Sequence, residues 1–251
     1  MKKTLLCALL LLCLMIVPAL AEESPALRGY DKEQGYVYLN MGTFPQTAEG
    51  EELPILWRVL SVEEDRAYIL SEYILEARPI HSDYKAYANK PDNKKYPGFN
   101  GDFAQTEMSQ YLNGDFASTR FTEEELSLIA EDEALGRFYL VTAEDLKNKE
   151  LGFGTDKTRK GWGTDYAKAN GLFVYSRSHG SHSPYWTRDQ STSDARHARC
   201  TKAKGNLGRI NVITLDEGMR PACRLDMTLL AIIGGAGTME EPFTIAPLAL
   251  N

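Results

Sequence analysis

The chain has 251 residues, 35 acidic and 28 basic, for a formal net charge of −7. That acidity speaks against nucleic acid as the main partner, because phosphate binding needs clustered basic charge. Beyond the N-terminus no apolar run approaches the roughly 20 residues of a membrane span.

The opening, MKKTLLCALLLLCLMIVPALAEE, carries Lys2 and Lys3, an apolar run from Leu5 to Val17, and the small-x-small triplet Ala19-Leu20-Ala21. This is the pattern of a secretory signal peptide, residues 1–21, cleaved after Ala21, and it places the protein in the cell envelope or outside the cell. The run is short for a span and Pro18 interrupts it, so no stable membrane anchor is expected after cleavage. Cys13 follows two leucines rather than small residues, which argues against lipidation. Cleavage removes Lys2, Lys3 and no acid, so the charge falls by two to −9. It also removes Cys7 and Cys13, leaving Cys200 and Cys223. Two cysteines in an oxidising compartment are expected to pair, stabilising the fold by about 3 kcal/mol. Two separate buried thiols are the alternative.

Residues 22–34 read as a polar lead-in. GYVYLNMG (35–42) then alternates like a strand, and ILWRVL and AYILSE form a hairpin across a charged turn. Residues 76–104, punctuated by Pro79, Pro91, Pro97 and Gly98, read as irregular. Three short helices follow: TEMSQYLNG, stopped at Asn113-Gly114; FTEEELSLIA, with Thr122 and Glu125 at capping-box spacing; and TAEDLKNK, with Thr142 and Asp145 spaced alike. From Gly152 to Ser183 long ordered loops are expected. PYWTRD, ARHARC, GRINVIT and MRPACRL return the chain to strand, with turns at Gly205-Asn206 and Asp216-Glu217-Gly218. The order indicates a single α+β domain over residues 35–228 whose terminal strands can pair, followed by a Gly-rich tail at 229–251.

FPQT (44–47), ILWRVL (55–60), AYILSE (67–72), the MSQYLN helix with Phe116, YWTRD (185–189) and GMRPACRL (218–225) occur in a fixed order. Together they resemble a family of uncharacterised secreted bacterial domains with P-Q-T, W-x-V-L, L-L-S-E, R-x-W-L-N, W-W-L-R-S and G-V-R-P-A stretches. The closing elements resemble the formylglycine-generating-enzyme type of C-type-lectin-like fold. The resemblance, over roughly residues 35–226, implies a mixed domain with long irregular loops and no assigned activity. Departures are Tyr185 for a tryptophan, Thr187 for an aliphatic residue, and Cys223 in the closing strand. Residues 238–245 resemble a G-T-x-x-x-P-F tail.

Trp186 reads first as core, with Arg188 and Asp189 as a local pair and Arg220 satisfying a buried carbonyl or carboxylate. The ligand reading makes Trp186 a stacking face and Arg188 and Asp189 polar contacts, a combination that suits sugars. His179 and His182 have H-x-x-H spacing but lie in a Gly/Ser-rich loop without a third ligand, so no metal site is expected. Lys90-Pro91-Asp92-Asn93 faintly resembles a lectin calcium motif, but Lys90 stands where an oxygen donor belongs, so it reads as a turn. Formylglycine-generating enzymes bind copper with a closely spaced cysteine pair, whereas Cys200 and Cys223 are far apart in sequence. His197 and Cys200, three apart on a strand, point to opposite faces and make no catalytic pair. No G-x-S-x-G or phosphate loop occurs. The expectation is an exported non-catalytic domain, without cofactor, that binds a glycan or another envelope component. The alternatives are a divergent enzyme of the formylglycine-generating type and a purely structural envelope protein.

Overall fold

The computed structural model describes residues 26–83, 102–175, 180–194 and 196–248. Residues 1–21, expected to be a signal peptide, residues 90–93, expected to be a turn, and His179 lie outside them. Strands β1 (Tyr38–Pro45), β2 (Glu52–Glu63) and β3 (Arg66–Ser71) form an antiparallel meander that contains the expected β2–β3 hairpin. The charged turn is Glu64-Asp65, and Glu64 takes a left-handed φ of 50° to reverse the chain. After β4 (Glu76–Ala77) come the helices α1 (Glu107–Tyr111), α2 (Ala117–Arg120) and α3 (Glu123–Ser127).

Asn113-Gly114 does not stop the first helix. A π-helical turn over Leu112–Phe116 carries it straight into α2. The amide of Asn113 is instead occupied in tertiary bonding. Its Oδ1 accepts from the Arg137 and Phe138 amides at 2.8 and 3.0 Å, and its Nδ2 donates to the Phe138 carbonyl at 2.9 Å. Both expected capping boxes form. Thr122 and Glu125 cap α3, and Thr142 and Asp145 exchange bonds of 2.7 and 2.9 Å ahead of a single 3₁₀ turn.

The chain continues through β5 (Ile129–Ala130), β6 (Tyr139–Leu140), β7 (Gly161–Trp162), α4 (Asp165–Ala169) and β8 (His182–Ser183). Next are β9 (Tyr185–Gln190), β10 (His197–Thr201), β11 (Leu207–Asn211), β12 (Gly218–Met219) and β13 (Pro221–Asp226). Of residues 229–251, expected as a Gly-rich tail, the described residues 229–248 contribute two strands to the large sheet. They include β14 (Leu230–Gly234) and β15 (Phe243–Pro247), a hairpin whose second strand lies parallel to β1, with Phe243 opposite Leu39. The short alternation Phe243-Thr-Ile245 is a strand signal that the preceding glycines obscure.

The larger sheet has eight strands, ordered β14-β15-β1-β2-β3-β13-β5, with β6 also on β13. A second sheet is ordered β11-β10-β9-β12-β4, and β7 pairs with β8. The fold is therefore mixed α+β, mostly sheet with few short helices. Trp57, Phe116, Phe121 and Phe138 pack over the large sheet with ring centroids 4.6 to 6.4 Å apart. Arg58 on β2 forms a buried two-bond pair with Glu72 just after β3, each bond 2.5 Å. Arg220 donates to the carbonyls of Ser71 and Glu72 at 2.8 and 3.0 Å, the buried role its sequence position suggests.

Candidate functional site

Trp186 is fully buried, and its Nε1 donates to the Arg78 carbonyl at 2.8 Å. It offers no face to a ligand. Between the pairs Trp186/Cys200 and Gln190/Ala198 the β9 register shifts, a bulge that turns Arg188 and Asp189 away from the ladder. Arg188 donates to the Leu140 carbonyl at 2.7 Å and lies 5.1 Å from the Tyr139 ring centroid; Asp189 accepts from the Ala143 amide. These two side chains clamp the second sheet to residues 140–143. Of the expected ligand contacts, Trp186 is buried, and Trp186, Arg188 and Asp189 each hold a backbone group.

What Trp186 does hold is informative. The Arg78 amide donates to the Glu217 carbonyl at 3.0 Å, so Trp186 anchors the segment that in turn anchors Glu217. Gly218 follows, where a side chain would run into Ile74 and the Pro184 carbonyl. That close approach presses Glu217 against the second sheet. On its other side the Asp216 carbonyl accepts from the Phe173 amide at 2.9 Å, fixing Phe173 just beyond α4.

Around this carboxyl lies a cavity of about 400 Å³. Phe173, 45% exposed, and Tyr175 rim it, Pro184 and Ile210 line it, and Lys202 and Asn206 come from the β10–β11 turn. That turn is held by Gly205, at φ +92°, whose carbonyl accepts from Arg159 Nε at 2.9 Å. The Lys204 ammonium sits 5.1 Å from the Tyr175 ring centroid. Glu217 is only 2% exposed, yet its Oε1 has no hydrogen-bond partner. Burial lifts its carboxyl from the ordinary 4.5 to about 7, outweighing the Cys200 thiol and the Lys202 ammonium, which favour the ionised form. A larger groove, about 630 Å³, runs beside β1 and the 236–240 loop. Its Arg28 is satisfied by the Gly29 and Gly35 carbonyls at 3.1 and 3.0 Å, and none of its lining side chains has a buried polar atom without a partner.

The cysteines expected to pair are both free and buried. Cys200 is in the second sheet opposite Gly208, whereas Cys223 is in the large sheet opposite Ile69. The expectation treated 197–225 as one closing meander. Instead β12 joins β9 in parallel and the chain then crosses to β3, which sends the two thiols to different sheets. For the same reason they do not fit the closely spaced pair of a Cu(I) site. Burial pushes both thiols up, so neither is a ready thiolate. His182 is buried beside Trp162, ring centroids 4.9 Å apart, and burial holds it below its ordinary value. Among the described residues no three His, Cys, Asp or Glu side chains gather as a metal site would need.

The pocket was missed because Asp216-Glu217-Gly218 reads as a turn, and nothing local marks the glutamate as buried. The only sequence signal was a carboxylate directly before the G-x-R-P-A strand. The profile of the family described as a domain of unknown function (DUF6273) matches residues 64–227, and the chain belongs to that family. No curated protein and no solved structure matches the chain.

Proposed function

We propose that this member of the DUF6273 family is an exported, non-catalytic binding domain that takes a glycan or another small envelope component in the Glu217 pocket. In this reading residues 1–21 are a signal peptide cleaved after Ala21, and the architecture is C-type-lectin-like, as the long connections between β6 and β9 suggest. The observation that carries the proposal is the unpartnered Oε1 of a buried glutamate in a cavity rimmed by aromatic rings. A buried polar atom without a partner is costly, and a ligand hydroxyl supplies one. Phe173 and Tyr175 offer apolar ring faces, while Asn206, Lys202 and Glu217 offer directional polar contacts, the pairing by which compact polar ligands are oriented. Glycan-array and cell-wall pull-down assays with wild type and Phe173→Ala test it. Retention by wild type and loss in the variant is expected; silence of wild type in both assays refutes it.

A second reading, a divergent enzyme of the formylglycine-generating type, draws on one observation. A carboxyl titrating near 7 is suited to proton transfer at neutral pH. The raised thiols count against the cysteine chemistry of that type. Turnover of a bound glycan, lost in Glu217→Gln, would favour the enzyme; binding without turnover favours the domain proposed first.

A further inference from the structure

The second sheet carries a different kind of site on its other face. Ala198 and Cys200 are buried in the core, and Ile210 lines the Glu217 pocket. By the period-two alternation of strands, Arg199 and Arg209 project from the opposite side. They are direct partners across the β10–β11 ladder. Like charges in that position destabilise a strand pair. Among the described residues neither guanidinium is in an ion pair, and the neighbouring carboxylate, Asp194, is taken by Arg196 at 2.9 Å and His197 at 3.1 Å.

A concavity of about 240 Å³ opens at this pair, bordered by Ser191, Thr192, Ser193, Arg199, Gly208 and Arg209. Arg209 Nη1 donates to Ser193 Oγ, and the Ser191 and Ser193 hydroxyls lie 3.1 Å apart. Every polar side chain on the border can donate a hydrogen bond, and no carboxylate borders it. The volume falls below the roughly 300 Å³ at which drug-sized ligand pockets begin, so it suits an ion or a terminal group.

We propose that Arg199, Arg209 and the 191–193 hydroxyls form a binding site for a tetrahedral oxyanion, phosphate or its monoester. The guanidinium forks bind two oxygens each, and the anion replaces the repulsion between them with attraction. The site lies on the face away from Glu217, so it stands or falls independently of the glycan pocket.

The test is the melting temperature and the heat of binding of the full chain against inorganic phosphate and glycerol phosphate, with sodium chloride at matched ionic strength as control. Saturable stabilisation by phosphate beyond the chloride control is expected. Arg199→Ala and Arg209→Ala should each weaken phosphate binding at least tenfold, and Arg209→Lys should weaken it less. In phosphate-free buffer, Arg209→Ala should melt no lower than wild type, because it removes a repulsion. Glycerol phosphate binding with the same arginine dependence assigns a phosphate monoester; binding of inorganic phosphate alone assigns the free ion. No response beyond chloride, or a response unchanged in the double arginine variant, overturns the site. A large destabilisation of Arg209→Ala without phosphate would show instead that this arginine is structural, and would also overturn it.

Discussion

Glu217→Gln tests the pocket through its effect on stability. The folded carboxyl titrates at about 7 and the unfolded one near its ordinary 4.5, so the native state holds the extra proton between those values. Stability contributed by the neutral acid is therefore fully present below pH 4.5 and is lost as pH rises through 7. At roughly 1.4 kcal/mol for each pH unit separating the two values, ionised Glu217 costs the fold about 3 kcal/mol above neutrality. Glutamine keeps the shape and never ionises. Urea unfolding at a series of pH values from 4 to 8.5 measures the difference directly. The variant should match wild type near pH 4.5 and exceed it by up to about 3 kcal/mol at pH 8.5. The two proteins differ only at residue 217, so the comparison isolates its contribution. A difference that stays constant across pH, or that has the opposite slope, would refute the claim that a buried, desolvated carboxyl floors the cavity.

The remaining expectations concern what positions that carboxyl. Gly218→Ala places a methyl group against Ile74 and the Pro184 carbonyl, and should cost about 1–3 kcal/mol in denaturant unfolding while altering the Glu217 pH profile. Trp186→Phe leaves the Arg78 carbonyl without its donor in the core, and should cost about 1–3 kcal/mol; an unchanged midpoint would show that the bond is dispensable. Labelling of the denatured, non-reduced protein should find Cys200 and Cys223 both reactive, and labelling of the native protein should find both protected. A missing pair of thiols would restore the disulfide.

Much of the fold was legible because its signals are local. The hairpin of β2 and β3, the Thr122–Glu125 box and the strand at YWTRD each rest on period or capping chemistry within a few residues. Asn113-Gly114 misled because the same residues that end helices also serve tertiary bonding, and here Asn113 ties the helix to residues 135–138. The cysteine pairing misled because strands adjacent in sequence joined different sheets, which no local pattern encodes. Trp186 was correctly weighed toward core. Its importance to the pocket runs through Arg78, a contact 108 residues distant in sequence. Glu217 was invisible for the converse reason: a turn signature says how the backbone bends, not what covers the side chain.

The central claim is that a ligand occupies the cavity between Phe173 and Glu217. Amide chemical shifts of the isotope-labelled protein, recorded while mono- to tetrasaccharides retained in the array are added, locate the contact. Saturable shifts concentrated at residues 173–175, 202–206 and 216–217, absent in Phe173→Ala, are the expected result. Shifts confined to the groove beside β1, or no saturable shift with any saccharide, would contradict the account.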